Sequence, residues 1–205
     1  MYYRTALVRI FILKGYFMNT NTNQKRSKLA SLTECAILVA LATVLSLIKM
    51  WEMPLGGSIT LLSMLPICIL SFRHGIKASI GSAFVYAVLQ LALGLPSLMS
   101  WGMNATMWVG SVLFDYLLPF TFIGLAGIFK GKGKWGIYVG TAFALFLRFV
   151  SHFISGSIFF ANWCPDGWNV YIYSIAYNGG YMLPELILTM VGLVLITKFS
   201  FWEKK

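Results

Sequence analysis

Four side chains able to carry charge or a proton stand inside otherwise apolar sequence: Asp115, Arg148, His152 and Glu185. Asp115 lies in "SVLFDYLLPFTF", Arg148 and His152 in "RFVSHFISGSIFFANW", and Glu185 directly after Pro184 in "YNGGYMLPE". A spacing of four puts Arg148 and His152 one turn apart on one helix face. A charged group at the centre of a membrane helix costs on the order of 2.5–3.5 kcal/mol, so each of these must have a partner or a task. For Arg148 two readings stand: an ion pair with Asp115 or Glu185 that fixes helix register, or a cation facing a cavity. His152 is either a hydrogen-bonded helix-packing residue or a pocket residue.

The last apolar segment favours a pocket. Tyr173, Tyr177 and Tyr181 recur every four residues, and Asn178, Tyr181 and Glu185 form an overlapping stripe. Phenol rings stack on flat ligands and attract cations, while Asn and Asp read donor and acceptor edges. Together these groups suit a flat, polar, aromatic molecule. Catalysis fits less well. His74 and His152 are the only histidines, so no H-E-x-x-H cluster exists, and His74 in "RHGIK" reads as a solvated turn residue. "GIFKGKGKW" departs from the phosphate-loop pattern because Gly133 follows Lys132, which leaves nucleotide hydrolysis to a partner. No catalytic residue and no metal ligand set is expected. Cys35, Cys68 and Cys164 lack metal-ligand spacing; the first two read as small hydrophobes within apolar runs.

Something must hold these groups at membrane depth. Of 205 residues, 59% are apolar and 11% charged, which excludes an ordinary soluble domain. Six apolar segments run approximately over Leu32–Met50, Ile59–Phe72, Ile76–Leu95, Thr106–Phe129, Gly136–Phe160 and Val170–Phe199. Most reach the roughly 20 residues that cross a bilayer; the second is short, and Pro66 marks it as kinked, tilted or shielded. The expected fold is an all-α membrane protein, a bundle of six transmembrane helices in the lipid bilayer of the plasma membrane.

The net charge of +10 forms no basic patch among aromatics, so no nucleic-acid partner is expected. It is a topology signal. Lys25, Arg26, Lys28, Arg73, Lys77, Lys130, Lys132, Lys134, Lys198, Lys204 and Lys205 fall on one side, against Lys49 on the other, so both termini should be cytoplasmic. Residues 1–28, with Arg4, Arg9 and Lys14 interrupting an apolar run and a second Met18, read as an N-terminal extension before a domain spanning 29–205. The outer loops carry Trp51, Trp101, Trp163 and Trp168, as an interfacial belt or as a lid of aromatic loops.

"GGSITLLSMLPICILSFRHGIKA", "FDYLLPFTFIGLAGIF", "HFISGSIFF" and "YSIAYNGGYMLPE" together resemble the thiamine-specific S component of energy-coupling factor vitamin transporters, over roughly Leu32 to Lys198. The resemblance implies a six-helix protein that binds thiamine from outside and assembles with a transmembrane coupling protein and two ATPase subunits, which hydrolyse the ATP. It implies no cofactor on this chain. It places Asp115 at the family's acidic position, where it would engage the aminopyrimidine, with Tyr116 next to it and His152 as the pocket histidine. Arg148 falls at a basic position one turn earlier, and Tyr173 and Asn178 match the tyrosine and asparagine of the sixth segment. Asp115 is one methylene shorter than the family's glutamate. Phe160 aligns with the family's stacking tryptophan, with Trp163 three residues on, and either ring could stack. Ala36 and Ala40, one turn apart, match a small-residue pair that docks on the coupling protein; the other reading is that they pack among the chain's own helices.

Thiamine itself fits this chemistry. Its thiazolium ring is permanently cationic, and Asp115 supplies a counter-charge in a low-dielectric site. Arg148 would orient a carboxylate or face the hydroxyethyl end. Three other readings stay open: an S component for another vitamin or precursor, an intramembrane enzyme using Asp115, His152 and Glu185, and a structural subunit with a buried ion-pair network.

Overall fold

The computed structural model describes residues 28–198. Most of the expected N-terminal extension, and the basic C-terminus from residue 199, lie outside the described residues. The chain divides into two units, Met1–Leu32 and Thr33–Lys205.

Helix α1 (Lys28–Leu47) buries a single stripe, Cys35, Val39, Ala42 and Ser46, at alternating spacings of four and three. Ile37, Leu41 and Val44 on its other side are exposed. That pattern suits a helix with protein on one face and lipid on the other. A small antiparallel hairpin follows, β1 (Lys49–Glu52) and β2 (Ser58–Thr60), with Trp51 opposite Ile59 and Glu52 opposite Ser58. Nothing in the hydropathy pattern predicts a strand here; the turn between them is made by Leu55 and Gly56, both at positive φ.

Pro66 starts a helix instead of kinking one. It sits in the first turn of α2 (Leu65–His74), where a missing N–H costs nothing. Short as α2 is, it is enclosed: Pro66, Ile67, Cys68, Leu70, Ser71 and Phe72 are all buried. It stops at Gly75, whose φ of +81° turns the chain into α3 (Ile76–Ser100). His74 is therefore not a solvated turn residue. Its side chain is 6% exposed, with Nε2 3.1 Å from Oε2 of Glu34 on α1, and Arg73 pairs with the same carboxylate.

The fourth segment is less regular. Helix α4 (Ala105–Ser111) opens on Asn104, whose side chain accepts from the Met107 N–H at 2.9 Å. It passes into a π-helical stretch, Val112–Leu117, then α5 (Leu118–Phe122) and a 3-10 stretch, Ile123–Gly127. After the turn at Gly133 come α6 (Gly133–Ile158) and α7 (Val170–Lys198).

Among the described residues, four helical stretches are long and apolar enough to cross a membrane: Lys28–Leu47, Ile76–Ser100, Ala105–Ile158 and Val170–Lys198. The third, 54 residues long, is interrupted between α5 and α6 by the 3-10 turns and Gly133.

The helices meet most closely where glycines face backbone. A Cβ on Gly127 would lie 2.5 Å from the Ser71 carbonyl, and one on Gly140 2.1 Å from that of Ala126. Ser71 secures the first contact, donating to the Gly124 carbonyl and accepting from the Gly127 N–H at 2.9 and 2.6 Å. Cys35 and Cys68 lie in the apolar core with Met64, Ile67, Leu70 and Ile123, as small hydrophobes.

Candidate functional site

Away from that welded region the helices enclose a cavity of about 290 Å³. Its walls come from the end of α1, the hairpin, α3, the π-helical stretch, α6 and α7. Asp115, Tyr116, Arg148, His152, Phe160, Tyr173 and Asn178 all line it.

The π-helical stretch explains how neighbours 115 and 116 both reach the cavity. Pro119 has no N–H to offer the Asp115 carbonyl, and its ring would clash with that carbonyl in a regular helix. The chain widens, and the Leu118 N–H bonds back to Leu113 instead. Ser151 on α6 donates to the Phe114 carbonyl at 2.7 Å, tying the widened turn to its neighbour.

Asp115 is held from α6. Ser155 donates to its Oδ2 at 2.5 Å, and His152 Nδ1 lies 3.2 Å from its Oδ1. The other imidazole nitrogen, Nε2, accepts from Arg148 Nε at 3.4 Å. With Nε2 an acceptor, a neutral His152 carries its proton on Nδ1 and donates to Asp115.

No carboxylate pairs with Arg148 among the described residues, so the ion pair with Asp115 or Glu185 is not formed. Arg148 is 6% exposed. One NH group donates to the Met64 sulfur at 2.8 Å, and the guanidinium carbon Cζ lies 4.5 Å from the Phe120 ring centroid. A sulfur, a π face and an imidazole stabilise the charge while leaving donors over for the cavity.

Asn178 is fixed by its own helix and by α6. Its amide nitrogen donates to the Ser174 and His152 carbonyls at 2.9 and 3.3 Å, and its oxygen accepts from the Tyr181 hydroxyl at 2.9 Å. Gly156 allows that approach, since a Cβ there would lie 2.4 Å from Ser174 Oγ. Above it, Tyr173, Tyr177 and Tyr181 form a run of rings with centroids 6.0 Å apart, and His152 meets Tyr181 at 5.9 Å.

Phe160 and Trp163 divide. Phe160 lines the cavity and meets Trp101 edge-on at 5.6 Å; Trp163 is not among the lining residues and stands behind Phe160 at 5.2 Å. Trp51 and Trp168 are exposed, so of the four loop tryptophans only Trp101 lines the cavity. The hairpin supplies the remaining wall. Tyr177 donates to the Pro54 carbonyl and accepts from the Gly57 N–H at 3.2 Å.

Other lining residues went unread in the sequence: Glu52, paired with Lys49 at 2.5 Å, and Thr60, Tyr86 and Gln90. Gln90 did leave a signal, an amide inside "VYAVLQLALG". No group of three or more His, Cys, Asp or Glu able to hold a metal occurs among the described residues. Aromatic walls, fixed hydrogen-bonding edges and three carboxylates, Glu52, Asp115 and Glu185, against two cations, Lys49 and Arg148, suit a flat ligand with a positive charge.

Apolar spans around a partly open, ligand-sized cavity lined by polar and aromatic side chains define a helical, multi-pass membrane protein with a small-molecule-sized pocket. Residues 32–202 match the family described as thiamine transporter protein (Thia_YuaJ), and the chain belongs to that family. It is 35% identical to the thiamine transporter ThiT of Bacillus subtilis over 188 residues, 85% of this chain and 93% of that one. It is 29% identical to ThiT of Lacticaseibacillus paracasei, covering 82% of this chain and 87% of the relative. The fold resembles the solved structure of ThiT from Listeria monocytogenes, with a TM-score of 0.64 and 22% identity over 84% of this chain and 96% of that one. These relatives are named as transporters, not as enzymes.

Proposed function

We propose that this protein is the substrate-binding subunit of an energy-coupling factor transporter, taking thiamine from outside and delivering it inward with an ATPase module. The observation that carries the reading is Asp115, held by Ser155 and His152 inside a cavity walled with aromatic rings. Asp115 engages the aminopyrimidine and offsets the ligand's permanent charge. Tyr116, His152, Tyr173 and Asn178 form the rest of the pocket, and Phe160 stacks on the ligand. Arg148, its unpaired donors turned to the cavity, meets an acceptor on the ligand.

The chain crosses the membrane six times, with both termini cytoplasmic. Two features support the count: 54 residues are twice the length of one crossing, and the enclosed α2 serves as a short pass shielded by its neighbours. Ala36 and Ala40 are exposed on α1, which supports a docking face for the transmembrane coupling protein. ATP is hydrolysed by the two ATPase subunits.

Titrating the purified protein with thiamine tests the reading, because Trp101 lines the cavity and its emission should respond. Asp115→Asn should weaken binding by about 2–4 kcal/mol, as expected for removing a buried charge contact. Equal affinity of the folded mutant would overturn the counter-charge role. A response to riboflavin or biotin in place of thiamine would redirect the assignment to another vitamin.

A further inference from the structure

The foot of the cavity holds polar groups left over from all these contacts. Glu185 on α7 is 1% exposed. Its Oε1 accepts from the Thr60 N–H and hydroxyl at 2.5 and 2.7 Å, while its Oε2 has no hydrogen-bond partner among the described residues. The hydroxyl of Tyr86, fully buried on α3, makes no hydrogen bond of ordinary geometry, although the Ser63 and Ser46 hydroxyls lie near it. Both residues line the cavity, and Tyr86 lies within electrostatic reach of Glu185 and Arg148. Thr60 also shares a 2.6 Å hydroxyl bond with Ser63, a further lining residue. Buried polar groups are ordinarily satisfied, and one left bare carries its whole desolvation cost. The bare Glu185 Oε2, lining one cavity with the Tyr86 hydroxyl, indicates a donor that arrives with the bound molecule.

We propose that this foot is a second polar subsite. There Glu185 Oε2 and the Tyr86 hydroxyl receive an N–H or O–H of the ligand, in addition to the donor met by Asp115. Glu185 is thereby a specificity-determining residue. The inference rests on the reading that thiamine occupies the cavity.

Glu185→Gln is the direct probe. It keeps a carbonyl oxygen for Thr60 and sets an amide donor where Oε2 stood, so a ligand donor would meet another donor. Binding by purified wild type and mutant is measured for thiamine and two analogues. One carries a carbonyl in place of the pyrimidine amino group; the other lacks the side-chain hydroxyl. Glu185→Gln should weaken thiamine about tenfold, and the loss should shrink to under about threefold with whichever analogue lacks the donor, the coupling expected of groups in contact. Tyr86→Phe deletes the hydroxyl and keeps the buried ring; it should give a smaller loss with the same dependence on the analogue. Equal losses for all three ligands would assign the donor to a buried water or the effect to the fold, and would overturn the subsite, as would no loss at all. Wild type that fails to bind thiamine refutes the proposed function itself. Thiamine binding that responds to Asp115→Asn without coupling to Glu185 refutes the subsite alone.

Discussion

Gly94 on α3 and Tyr116 on the π-helical stretch face each other across one side of the cavity, and Gly94→Ala turns that contact into a clash. A Cβ at position 94 would lie 2.3 Å from the Tyr116 hydroxyl oxygen, 2.6 Å from Cε1 and 2.7 Å from Cζ. Ordinary contact begins near 3.4 Å, so the ring must withdraw by roughly an ångström, and the open space beside it is the ligand cavity. Because the outer end of a side chain yields rather than backbone, the cost belongs to the lower half of the overpacking range, about 1–2 kcal/mol. It is felt by the ligand that needs the same space, as a roughly five- to thirty-fold rise in Kd. Helix propensity acts the other way, since alanine is better than glycine in a helix interior by up to about 1 kcal/mol; the thermal midpoint of the ligand-free protein should therefore fall little. Calorimetric titration with thiamine reads the effect, and Tyr116→Ala supplies the control. In that background the clash partner is gone, and Gly94→Ala should cost nothing further. A loss of the same size with and without the Tyr116 ring would refute the mechanism.

Two further outcomes follow from the geometry. Phe160→Ala should weaken thiamine binding by roughly 0.5–2 kcal/mol, as for a cation–π contact, and Trp163→Phe should change it little; the reverse ranking in the same titration would move the stacking role to Trp163. Ala40→Trp should leave thiamine binding by the isolated protein intact while abolishing co-purification with the coupling protein and ATP-driven uptake. Uptake that survives unchanged would place the docking face elsewhere.

Composition and loop charge were enough to recognise a multi-pass membrane protein. The intramembrane polar residues and the four-residue recurrence of tyrosines on α7 led to the cavity, because a polar group in apolar sequence has few cheap explanations. What the sequence hid depended on distant partners. His74 reads as solvated until Glu34, forty residues earlier, is brought beside it. Arg148 invites a carboxylate, yet its neighbours are Met64, Phe120 and His152, none of which advertises itself as a counter-group. The hairpin escaped notice because its strands are three and four residues long, too short for an alternation pattern. Pro119 stands one turn after Asp115 in the sequence; that it would widen a turn and bring two consecutive side chains into one pocket was not legible there.

The glycine contacts divide the protein by what substitution it can absorb. At Gly127 and Gly140 any side chain would strike a carbonyl of another element, and backbone cannot step aside as a rotamer can. Around the cavity the neighbours are ring edges, hydroxyls and side-chain amides, which can be exchanged one at a time. One region is thus nearly closed to sequence change, and the other is open to it. Such a chain can acquire a new ligand without relearning how to fold, because the residues that choose the molecule are not the ones that bring the helices together.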